Sequence, residues 1–265
     1  TRRNFPLINR LINPTFFDSN GNFLQTCTAS AAQCTAARNF LNRQFQTLER
    51  KANTELGFGK IDWLANQKNT LSMSFNGLRW VSPNGIQTQA VLTNGNGIGN
   101  NANSTVRTRY GRASWTNIAT NSIVNEFRFG WFKDRLFDYV NPALIPTETG
   151  TVGLSVAGQS NLGTATDYPR LNPSEQRFQF ADSLSWTRGN HSLKFGWDLS
   201  TTQDYLDILR NRAGTYTYDT WTNFALDFSG NTTGEKRWQS CSQTIGNPVL
   251  NFRTTDHAFF APVQF

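Results

Sequence analysis

The sequence predicts an all-β fold, a segment of an antiparallel transmembrane β-barrel with about seven long strands. Three observations carry that expectation. Apolar and polar residues alternate with period two over several stretches. The connections between those stretches alternate between short and long. The composition is aromatic and poor in charge: aromatics are 13% of the 265 residues, charged residues only 16%, and mean hydropathy is −0.50. Soluble domains commonly carry about 25% charged residues. Disordered chains lack such aromatic content. No run approaches the roughly 18 apolar residues of a spanning helix.

Along the chain, residues 1–53 are expected to form an extracellular loop region. Cys27 and Cys34 lie seven apart in a polar stretch. That spacing can close a small disulfide in an oxidising compartment, the alternative being two unpaired thiols. Ala37, Leu41, Phe45 and Leu48 recur at helical spacing, which predicts a short amphipathic helix over 36–48. Strands follow at 54–66 and 69–82, joined by Gln67-Lys68. The next pair is 104–117 and 122–138, joined through Ile118-Ala119-Thr120-Asn121. The third is 175–187 and 191–208, joined by Arg188-Gly189-Asn190. Such short links are hairpin connections. The links over 83–103, 139–174 and 209–251 are long, and rich in Asn-Gly or proline. The first of these holds Asn94-Gly95-Asn96-Gly97, read as a mobile loop. A second short helix is expected at 221–228. Phe259, Ala261, Val263 and Phe265 alternate at the end, interrupted by Pro262, which suits an edge strand or a bulge.

Compact soluble domains rarely use connections longer than about 12–15 residues. An outer-membrane barrel uses them routinely, with short periplasmic turns and long external loops. Its strands place apolar residues toward lipid and polar ones toward the lumen. On that pattern Leu71, Met73, Phe75, Phe127, Phe129, Trp131, Phe195 and Trp197 are expected to face lipid. Lys60, Asp62, Glu126, Arg128, Lys194 and Asp198 are expected to face the lumen, as a hydrated wall of mixed charge. Trp63, Trp80, Trp115, Trp131, Trp186 and Trp197 lie toward strand ends or on apolar faces, as interfacial girdles do.

Other chemistries find little support. The net charge of +7 and pI of 9.6 invite a nucleic-acid reading. The basic residues are scattered, however, with Arg107, Arg109 and Arg112 as the densest group, and no nucleic-acid motif accompanies them. His191 and His257 are the two histidines and stand apart from the cysteine pair, so zinc is not expected. Cys241 has no evident partner. Gly153-Leu154-Ser155-Val156-Ala157-Gly158 misses the spacing of a nucleophile elbow. Gly95-Asn96-Gly97-Ile98-Gly99 has no following lysine or helix for phosphate binding. Asp256-His257 has no third partner and reads as a strand-entry position. No catalysis and no cofactor are expected.

The run Glu55-Leu56-Gly57-Phe58-Gly59-Lys60-Ile61-Asp62-Trp63, with Asn66-Gln67-Lys68-Asn69-Thr70-Leu71 after it, resembles a barrel hairpin of TonB-dependent receptors. Residues 178–196, centred on Trp186-Thr187-Arg188-Gly189-Asn190-His191, resemble the Oar-like branch, whose members carry an N-terminal carboxypeptidase-regulatory-like domain. Asn223-Phe224-Ala225-Leu226-Asp227-Phe228 is similar to a loop helix of that branch. The resemblance runs over 54–265, the expected partial barrel. It implies outer-membrane lipid, a plug domain and the TonB system as partners, and uptake of a scarce or bulky solute. The family's plug, TonB box and regulatory-like domain have no counterpart in these residues, and a full receptor barrel has about 22 strands. The chain therefore reads as a fragment or a processed piece. A passive porin or adhesin barrel, or a secreted β-rich glycan-binding protein, are the alternatives.

Overall fold

The computed structural model describes residues 2–7, 15–46, 48–84 and 96–264. Asn94, Gly95 and Phe265 of the expected elements lie outside them. The main sheet contains β1 (Arg2–Leu7), β2 (Leu48–Asn66), β3 (Asn69–Ser82), β4 (Ala102–Thr120) and β5 (Ile123–Val140). The loop after β5 carries β6 (Gly153–Val156) and β7 (Gln159–Gly163). The main sheet resumes with β8 (Arg170–Arg188) and β9 (His191–Ile208). The next loop carries β10 (Thr215–Tyr218) and β11 (Ser240–Ser242), and the main sheet ends with β12 (Val249–Phe260) and β13 (Val263–Gln264). Its order is β1-β2-β3-β4-β5-β8-β9-β12, with β13 also on β9, and every pairing in it is antiparallel. The sheet is open, with β1 beside only the first part of β2 and β12 at the other edge. The result is a wide antiparallel sheet of long strands that does not close on itself among the described residues.

Strand ends differ from expectation in ways the residues explain. β2 begins at Leu48, and Leu7 of β1 pairs with it there, so the sheet starts well before the expected 53/54 boundary. The β4–β5 link shrinks to Asn121-Ser122, where the Thr120 hydroxyl accepts from the Ser122 amide at 3.2 Å. The β8–β9 link shrinks to Gly189-Asn190, and Gly189 takes a positive φ of 61°, a backbone state glycine reaches without a Cβ penalty. The Gln67-Lys68 turn is closed by the Asn66 carboxamide oxygen, which accepts from the Lys68 amide and from Asn69, both at 2.9 Å. β8 starts at Arg170 and runs through Pro173, because the register shift between Leu171 and Ser174 spares the missing N–H a ladder bond.

The long connections fold on themselves. β11-β10-β6-β7 form a second sheet in which β10 and β6 run parallel. Two helices pack beside it: α1 (Ala31–Gln44) and α2 (Trp221–Phe228). α1 begins five residues before the expected helix because Ser30 and Gln33 form a reciprocal capping box. It stops at Gln44, and Leu48 serves the strand instead. α2 matches its expected range, capped by Thr220. Cys27 and Cys34 are disulfide-bonded, fastening the segment before α1 to its first turn. The apolar core lies in this loop module, where Phe16, Phe40, Leu41, Val156, Leu162 and Trp221 are fully buried or nearly so.

Candidate functional site

Side chains on a strand alternate between faces, and residues opposite each other in register share one. The pairings can therefore be followed across the main sheet. Ile61, Met73, Ala113, Phe129, Phe180 and Leu199 form one continuous row. Trp63, Leu71, Trp115, Phe127, Asp182, Trp197 and Phe259 form the next, and Phe75, Gly111, Trp131 and Phe178 another. All eight residues expected to face lipid fall on this apolar face. None of these side chains is buried: Ile61 is 72% and Phe259 80% exposed, and Phe127, Phe129 and Trp131 in mid-sheet are half-buried against their neighbours, in contrast to the buried aromatics of the loop module. Five of the six tryptophans singled out in the sequence share this face, whereas Trp80 stands on the other.

The apolar band has polar borders. Toward the short turns, Asn69, Asn117 and Asn125 form a row, and Asn69 accepts from Asn117 at 2.7 Å and from the Trp115 indole at 2.9 Å. Toward the loops lie Arg79, Arg107 and Arg135, opposite one another in successive strands. Asn69 and Arg79 are ten residues apart on β3. At roughly 3.4 Å per residue and a tilt near 40°, that is about 26 Å of height, against about 25 Å for a barrel's apolar band. Asp182 places a carboxylate within the band, and on the last two strands the rows run on into His257, Thr201 and Thr255. The Asp182 carboxylate accepts from the Asn125 amide at 2.7 Å, a cross-strand contact that period-two reading of single strands could not reveal.

The opposite face is polar, and it carries all six residues expected to face the lumen. Lys60 and Asp62 pair at 2.9 Å on β2. A recess of about 420 Å³ opens between β3 and β9, lined by Ser72, Ser74, Ser114, Glu126, Arg128 and Gln179, with Arg112 and Asp198. The Gln179 carboxamide donates to Asp198 at 2.8 Å. Arg112 donates to the Tyr110 hydroxyl and lies over that ring at 4.4 Å. Lys194 lies closer to the short turns, opposite Ser185 and outside the recess. Hydroxyls, amides and charges of both signs in one recess suit reversible binding of a polar surface. Among the described residues no group of His, Cys, Asp and Glu is placed to hold a metal ion. Asp256 and His257 stand mid-strand rather than at a strand entry, and on opposite faces, facing Ser200 and Leu199 in register. They cannot act on one substrate atom.

Where the sheet meets the loop module, Asp138 is fully buried. It accepts from the Ser104 hydroxyl and from two nitrogens of Arg170, at 3.0 and 2.5 Å. The neighbouring Tyr168 phenol is pushed up to about 12 by burial and by the Asp138 carboxylate. In the loop sheet, burial and the carboxylate of Asp227 raise the Tyr218 phenol as well. Cys241 is free and exposed, opposite Tyr216 in register. A second, more open recess of about 570 Å³ runs along the module surface between residues 24–28 and 219–223.

No curated protein matches the chain. One solved structure of similar fold is the crystal structure of the outer membrane transporter YddB from Escherichia coli, with a TM-score of 0.54 at 8% identity. The match covers 99% of this chain and 28% of that one, so the chain spans under a third of that transporter's length. At that identity the likeness is one of fold. The family described as an outer membrane beta barrel domain matches residues 2–262. With the two-faced antiparallel sheet and its alternating connections, this places the chain in the outer membrane and makes it a member of the outer membrane beta barrel domain family.

Proposed function

We propose that the chain forms part of the wall of a TonB-dependent receptor that takes up a scarce or bulky solute. The observation that carries this reading is the polar face with its recess of mixed charge. A wall that must hold and release a plug or a passing solute needs many weak, satisfiable contacts rather than an apolar seat. Leu71, Met73, Phe75, Phe127, Phe129, Trp131, Phe195 and Trp197 then meet lipid, and Lys60, Asp62, Glu126, Arg128, Lys194 and Asp198 meet the lumen. The disulfide-fastened loop module stands outside the cell and offers its open recess to the solute. The wall performs no chemistry; the plug and the TonB system supply gating and energy. The likeness of fold to an outer membrane transporter supports a transport role, and the sequence resemblance supports TonB coupling.

The test uses the full-length protein in its own outer membrane. A photoreactive benzoylphenylalanine at Gln179 should cross-link to a plug segment of the same polypeptide, mapped by mass spectrometry. Cross-linking to lipid instead would invert the two faces. Uptake of a panel of ferric chelates, oligosaccharides and peptides should yield at least one solute whose entry is lost when TonB is deleted. Entry that survives the deletion makes the barrel a passive pore.

A further inference from the structure

We propose that the outer face of β3, β4 and β5 binds the phosphate groups of an outer-leaflet glycolipid of the lipid A class. The inference rests on the lipid-facing assignment and loop orientation proposed above. Following the register, Arg79, Arg107 and Arg135 lie side by side on three successive strands, and Arg109 faces Lys133 one step below. These five cations share the face that carries Phe75, Phe129 and Trp131. Like charges directly opposite one another destabilise a sheet, so such a row is costly unless anions lie against it.

The protein supplies little of that anion itself. Arg79 reaches Glu55 at 3.2 Å, a pair more than half exposed on both sides and weakened accordingly. Among the described residues no ion pair engages Arg107, Arg109, Lys133 or Arg135. The acids of β5, Glu126, Asp134 and Asp138, all project to the opposite face. The three arginines are exposed. The cluster also stands at the height where headgroups begin, bordering the aromatic band on the loop side, with Phe137 and exposed Tyr139 continuing above it. Guanidinium groups bind phosphate through paired N–H donors, and arginine dominates the row. A free anion would need no apolar band beneath it. A phosphorylated lipid uses both features, its acyl chains on Phe75, Trp131 and Phe178 and its phosphates on the cations.

The full-length protein in mixed micelles with diphosphoryl lipid A, followed by native mass spectrometry, tests this. Wild type should retain bound lipid A, and the variant R107Q/R109Q/K133Q/R135Q should bind about tenfold more weakly or worse. Lipid A stripped of phosphate should bind wild type no better than it binds the variant. A control variant K68Q/R188Q, at the opposite end of the strands, should bind like wild type. Equal binding by the quadruple variant, equal loss in the control, or indifference to the phosphates overturns the site. Competition by inorganic phosphate at matched concentration that removes all bound lipid A would reduce it to a free-anion site and overturn it too. Heat-modifiable migration on gels, recorded for every variant, reports separately on the barrel: a variant that keeps it yet keeps lipid A refutes this site alone, while a wild type that needs no detergent refutes the barrel reading first.

Discussion

Single residues separate the two faces most sharply. Phe129 sits mid-band, its ring 5.2 Å from Phe180 and 6.4 Å from Phe178. Phe129→Arg should cost about 2–4 kcal/mol in the full-length protein refolded into bilayers, read by denaturant titration. An unchanged midpoint would show that this position does not meet lipid. On the polar face, the Phe260 ring lies over Gly196, and a Cβ there would also stand 2.7 Å from the Asp182 carbonyl oxygen. Gly196→Val should therefore cost about 1–3 kcal/mol by overpacking. Truncating Phe260 should recover only part of that cost, because the backbone oxygen stays. Tyr168 adds a dependence on pH. Its phenol, at about 12 against an ordinary 10.0, holds its proton more tightly when folded. The stability this confers is whole below pH 10 and is lost as pH rises from there through about 12. Tyr168→Phe should flatten that loss in alkaline unfolding curves; an identical slope in both proteins would remove Tyr168 as its source.

Elements show where period and propensity speak clearly and where they do not. Strand cores at 69–82 and 191–208 read directly from alternation, because one wetted and one apolar face impose period two on each strand alone. Strand ends did not, because Arg170 and Leu48 join the ladder through neighbours distant in sequence and Pro173 is carried through a register shift set by those neighbours. The early start of α1 was legible in principle from Ser30-Ala31-Ala32-Gln33, whose capping spacing precedes the apolar positions. Ser30→Ala should destabilise that helix by about 0.5–2 kcal/mol. Limited trypsinolysis should then show faster cleavage at Arg38 and Arg43, and unchanged rates would show that the cap contributes little. The strands β6, β7, β10 and β11 were hidden inside connections because each has only three to five residues, too few to display a period.

At the scale of the molecule there are two kinds of interior. The loop module buries its aromatics against one another, Phe16 with Trp221 at 5.6 Å and Phe40 with Phe228 at 5.0 Å. Among the described residues the main sheet buries almost no apolar residue on its apolar face, and β12 has no neighbour beyond it. An open edge and a bare apolar face invite association in water. The isolated chain should aggregate without detergent, as judged by size-exclusion chromatography and light scattering. A soluble, cooperatively melting monomer would contradict the membrane role of that face.

The amino-acid sequence by itself determined the two-faced strands, the short-long alternation of their links and the cysteine pair, because each depends on residues close together along the chain. It also determined the outer-membrane character, since lipid on one side and water on the other write a pattern into each strand separately. Only the tertiary structure decided what lies beside what. Register joined Arg79, Arg107 and Arg135 into one row, put Asp182 among aromatics, separated Asp256 from His257, and folded distant loops onto a common core. Those outcomes depend on lateral pairing between strands tens of residues apart, which no periodicity within a single strand encodes.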